Sequence, residues 1–138
     1  MSPEESAYHE LSYYTLTHGD LTFIHQHIVD AFAAQDADGD DKPIRLTFAL
    51  VGLYLHVERG YTGRQVQLAH MALARQKRAW PKFPLPPVRG RITAVDVLAA
   101  PEGPRRDEMI HEWCVCVWEE FRESRRAVED LLNECKIL

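Results

Sequence analysis

Apolar residues recur at helical spacing along nearly the whole chain, and polar punctuation divides them into segments. Ser2-Pro3-Glu4-Glu5 has the form of a helix start: serine as cap, proline in the first turn and glutamate three residues after the cap. A first helix is predicted to about Thr17, where Gly19 can stop it and Asp20 can cap a second helix over about 21–35. After the polar run Asp36 to Lys42, a third helix is predicted from Pro43 to Gly60. Its middle, Leu46 to Val57, is apolar nearly all round, as befits the central helix of a bundle. Thr62 and Gln65 form another capping box, and a fourth helix is predicted to about Ala79.

Pro81, Pro84, Pro86 and Pro87 then forbid a regular helix. This stretch reads as an extended crossover strap. Thr93 with Asp96 starts a short helix over about 94–100, and Pro101 and Gly103 end it. One long helix is predicted from about Arg105 to Cys135, roughly 45 Å at 1.5 Å per residue, with a charged end that projects or frays. No segment alternates convincingly as a strand. The expected fold is a single all-α domain over 1–138: a bundle of about five helices, two hairpin-like pairs, then the strap, a short helix and a long closing helix.

Charge narrows the function classes. The net charge is -5 with a pI near 5.8, which opposes nucleic-acid binding through a basic face. No apolar run approaches the roughly 20 residues needed to cross a bilayer. The first residues lack the basic and apolar regions of a signal peptide. Three cysteines, an odd number, suit reduced thiols better than a disulfide framework, so a cytoplasmic location is expected.

Seven histidines are the chemically distinctive feature, more than a chain of 138 residues ordinarily holds. His27 shares a helix face with Asp30, Ala31 and Ala34, and His25 points about 200° away. His56 shares a face with Ala49, Gly52 and Leu53; His111 with Cys114, Val115 and Trp118. One reading joins His27, His56 and His111, from three helices, into a site for zinc or another divalent transition metal. Asp30 or Cys114 would supply a fourth ligand or an orienting partner. A water on such a metal would ionise near neutral pH and allow hydrolysis. The plainer reading makes each histidine an ordinary core or boundary residue bonded to a carbonyl or carboxylate.

Other patterns carry less. Cys114 and Cys116 lie two apart on a helix and point away from each other. The run Asp36 to Asp41 lacks the glycine and glutamate positions of an EF-hand. Pro84-Leu-Pro-Pro87-Val-Arg89 fits an SH3-binding form, but an interhelical strap explains it as well. Two further function readings stand beside the metal site. One is a non-enzymatic small-molecule-binding or interaction module that forms a homodimer. The other is a metal-independent enzyme with a pocket of Tyr, His and carboxylate.

His27-Ile-Val-Asp-Ala-Phe-Ala-Ala-Gln35, Leu50-Val-Gly-Leu-Tyr-Leu-His-Val-Glu-Arg-Gly60, Pro86-Pro87, Ile92-Thr-Ala-Val-Asp-Val97, Trp113 and Val117-Trp118 occur in that order. Together they resemble an uncharacterised family of small bacterial helical proteins, a domain of unknown function, from about Tyr8 to Arg122. The resemblance implies an all-α fold and a bacterial, cytoplasmic origin, and supplies no catalytic residues. Members often carry a histidine after the glutamine matched by Gln35 and another early in the third helix. Here those places hold Asp36 and Thr47, which weakens any metal site that would use them.

Overall fold

The computed structural model describes residues 1–138 and contains seven α-helices and no strand. They are α1 (Pro3–Thr17), α2 (His25–Asp36), α3 (Pro43–Arg59), α4 (Gly63–Ala74), α5 (Ala94–Ala99), α6 (Pro104–Glu120) and α7 (Arg125–Glu134). None is long and apolar enough to cross a membrane. The three capping patterns all form. Ser2 Oγ accepts the Glu5 N–H at 3.1 Å, and reciprocal boxes close Thr62 with Gln65 and Thr93 with Asp96.

α3 is the central helix. Every residue from Leu46 to Leu55 except Phe48 is buried, so it has no solvent face in its middle. α2, α4, α6 and α7 pack around it. α1 packs more extensively against α5 than against α2, so the expected first hairpin pair is the weaker of its contacts.

Two boundaries depart from the sequence expectation. α2 begins at His25 rather than near 21. The Asp20 carboxylate accepts the N–H groups of Thr22 at 2.9 Å and Ile24 at 2.7 Å, and Phe23 takes a left-handed φ of 56° that no helix can include. This turn is pinned by α4, whose Arg64 N–H donates to the Thr22 carbonyl at 2.8 Å. Gly63 allows the approach, because a Cβ there would lie 1.8 Å from the Phe23 oxygen. The fourth helix also ends early, at Ala74.

The long closing helix is two helices, so the six segments read from the sequence as a bundle of about five become seven. Regular structure stops at Phe121 (φ -99°, ψ 11°), passes through a 3-10 turn at Arg122–Ser124 and restarts as α7. The bend has a packing cause. It buries Phe121, Val128, Leu131 and Leu132 in the core, with α7 lying against α3. A straight helix would carry that apolar stripe into solvent, and burying it contributes about 1.5–3 kcal/mol per large side chain.

The proline strap is tied most firmly at its far end, while Thr47 of α3 donates to the Pro81 carbonyl at 3.2 Å near its start. Arg89 donates to the carbonyls of Ala37 at 2.7 Å and of Ala34 and Gln35 at 3.3 Å each, so a cation sits at the carbonyl end of α2. Gln35 donates in return to the carbonyls of Arg89 and Ile92, and its Oε1 accepts the Trp113 indole N–H at 3.0 Å. The arginine of the proline-rich pattern is thus engaged within the fold.

Candidate functional site: a cluster of three imidazoles and a neighbouring carboxyl

His27 lies in the first turn of α2, His56 in the last turn of α3 and His111 in α6. The three rings meet. His27 is buried and stacks on half-buried His56, centroids 3.6 Å apart and planes 24° apart. Exposed His111 meets His56 edge-on, with its Nδ1 3.0 Å from His56 Nε2.

The backbone fixes His56. Gly60 adopts a left-handed conformation (φ 71°) that terminates α3, donating to the His56 carbonyl while the Tyr61 N–H donates to Leu55. That turn brings the Tyr61 carbonyl to 3.0 Å from His56 Nδ1. A proton on Nδ1 satisfies the carbonyl and leaves the Nε2 lone pair facing His111. Carbonyl contacts of this kind hold metal-binding imidazoles in their tautomer.

Two of the rings, His27 and His56, are driven toward their neutral forms. Burial, then the neighbouring His56 and His111, pushes the His27 pKa down to about 3, with Asp20 opposing. Burial also lowers that of His56, against the opposing effect of its carbonyl partner. Neutral imidazole is the state that ligates metal. As the rings stand, no three His, Cys, Asp or Glu side chains are gathered in the geometry of metal ligands. Stacked rings direct their lone pairs side by side rather than at one point.

Asp30 and Cys114 have other surroundings. The Cys114 Sγ is fully buried and lies 3.6 Å from the His27 carbonyl, to which it donates. Burial, reinforced by Asp30, pushes its thiol far above the ordinary range, opposing the thiolate form that binds metals. Asp30 is buried against Gly52, where a Cβ would come within 1.9 Å of Oδ2. Its Oδ1 accepts from Gln26 Nε2 at 3.2 Å and lies 4.0 Å from His70 Nε2.

This second cluster, Gln26–Asp30–His70, was not read from the sequence. Gln26 and Asp30 are four apart on one helix face, which is a legible signal. His70 joins only because α4 packs beside α2. His25 points the other way, its Nδ1 2.9 Å from Thr15 Oγ1. Glu58 likewise turns from His56, accepting from Trp118 Nε1 at 2.9 Å and pairing with Arg125.

Fold and site define a class: an all-helical protein whose central helix brings three histidines of separate helices into contact. The model of the family of unknown function DUF5946 matches residues 5–122, and the chain belongs to that family. No curated protein and no solved structure matches it.

Proposed function

We propose that the chain binds one divalent transition metal, zinc foremost, through His27, His56 and His111. The observation that carries this reading is the 3.0 Å approach of His56 Nε2 and His111 Nδ1, with the other His56 nitrogen anchored on a backbone carbonyl. Two nitrogens on one tetrahedral ion, at bonds of about 2.0–2.1 Å, stand roughly 3.3 Å apart. Binding requires His27 to turn out of its stack, so that its lone pair meets those of the other two. Exposed His111 leaves the ion open to solvent on one side. An ion so held supplies Lewis-acid chemistry and an ionisable water, the basis of a hydrolase reading. Asp30 and Cys114 are not ligands in this proposal, because one faces Gly52 and the other is a buried thiol.

The test is metal content of untagged protein, with thermal unfolding on adding zinc. Near-stoichiometric metal, or a zinc-dependent rise in Tm that is lost in His111→Ala, is expected. His111 is exposed, so that variant should fold as the parent does. Less than about 0.1 equivalent of metal together with no thermal shift would overturn the proposal, since a ligand of the native state must stabilise it.

A further inference from the structure

The second polar cluster opens onto a cleft of about 510 Å³ formed by residues of α1, α2, α3 and α4. Its walls are aromatic. Tyr8 stacks on Phe32 with centroids 4.2 Å apart, and Phe48 faces His70 across 5.3 Å. Asp30, Gln26 and His70 are its convergent polar groups.

The Asp30 carboxyl is unusual for want of a counter-charge. Its side chain is 4% exposed, and Oδ2 has no hydrogen-bond partner. The nearest base, His70, donates its Nε2 proton to the Phe48 carbonyl at 2.8 Å, and burial favours its neutral form. Arg45 also lines the cleft, but it is paired with Asp41 at 2.8 Å and Asp36 at 3.5 Å. Those three groups sum to one negative charge, so the rim adds no cation. Gly52 is what makes room for the carboxyl, because any Cβ there would displace it.

Burial holds the Asp30 carboxyl toward its neutral form, and a cation entering beside it would stabilise the ionised form, the carboxyl proton leaving to solvent. Aromatic faces attract the same kind of ligand through their quadrupoles. We propose that this cleft binds a small organic cation, a protonated amine or amidine on an apolar body, with Asp30 as its anionic partner. The Gln26–His70 side of the carboxyl, where Oδ1 lies, receives the ammonium. The apolar body lies against Tyr8, Phe32 and Phe48. An anion gains nothing from the neutral carboxyl and is repelled by the ionised one, and neutral analogues lack the charge that would draw the proton off and pair with it.

The site is independent of the imidazole cluster, and the test is run with EDTA present so that metal binding has no part in it. The probe is phenethylammonium, compared with 2-phenylethanol as its neutral analogue and 3-phenylpropionate as an anion. At about 10 mM, roughly tenfold above a millimolar Kd, the cation should raise the Tm of the parent chain by roughly 3–6 °C. The alcohol and the anion should give no comparable rise. Asp30→Asn keeps the shape and should lose the response. If that variant does not fold, Tyr8→Ala at the half-buried wall should weaken the response instead. Absence of a shift with the cation, an equal shift with the alcohol, or an undiminished shift in a folded Asp30→Asn variant would overturn the proposal.

Discussion

His27 and Asp30 stand one turn apart on α2, both buried, and both are driven toward their neutral forms. Burial leads in both, and the surroundings differ. His27 has in addition two other imidazoles whose charged forms would repel its own. Asp30 has a single amide donor and one oxygen without a partner. One is a base whose proton affinity has fallen, the other an acid whose affinity has risen. Acid therefore works against the folded imidazole cluster, whereas alkali works against the folded Asp30 cleft. Stability measured against pH separates the two, and each prediction below breaks one side of the pair.

The largest effect belongs to His27. Its folded pKa of about 3 lies below its ordinary value of 6.5, so the unfolded chain binds the extra proton first as pH falls. The stabilising contribution is complete above pH 6.5 and declines toward pH 3. Between pH 7 and pH 4 the loss is about 3 kcal/mol, at 1.36 kcal/mol per pH unit over roughly 2.5 units. His27→Gln removes the titration. Urea unfolding of both proteins at the two pH values should show their difference shrinking by that amount. A difference constant within about 0.5 kcal/mol would mean that His27 is not held neutral by the fold.

Gly52→Ala comes next and strikes the other side. The new Cβ collides with the Asp30 carboxyl at 1.9 Å. Overpacking of this kind costs about 1–3 kcal/mol, and the better helix propensity of alanine returns up to about 1. A net loss of about 1–2 kcal/mol is expected from denaturant midpoints. Asp30→Ala in the same chain removes the obstacle, so the double variant should be more stable than the sum of the two single changes. Strict additivity would show that carboxyl and glycine do not meet.

The two regions also differ in how far they were legible. Helix faces alone suggested that three imidazoles could meet, beside the plainer reading of separate core histidines. His27, His56 and His111 each lie beside small or apolar residues, and the strong caps at Thr62 and Gly60 kept α3 and α4 close to register. The Asp30 cleft depends on α4 reaching α2, which a tertiary contact decides. The contact runs through Gly63 and a left-handed Phe23, and a phenylalanine gives no local warning of that conformation. Phe121 presents the same difficulty. No glycine or proline marks the break between α6 and α7, so helix periodicity runs straight through it, and only the burial of α7 against α3 explains the bend. Local chemistry was readable where caps and periodicity agreed, and unreadable where packing overrode them.

The smallest effect isolates Asp30 from His27. Asp30 has its pKa raised well above 3.8 by burial, with the Gln26 hydrogen bond opposing. Its native state therefore holds a proton that the unfolded chain has released, and stability falls as pH rises above about 4. That slope is opposite to the His27 slope over pH 4 to 6.5, and in the parent chain the two partly cancel. A flat profile there would hide both. Asp30→Asn carries no such proton, so its stability relative to the parent should improve between pH 5 and pH 7. The same variant should leave the His27 slope intact and so become visibly acid-sensitive across pH 6.5 to 4. If instead the difference between variant and parent does not change with pH, the carboxyl is ionised in the folded chain. It would then need a cation that none of its neighbours supplies.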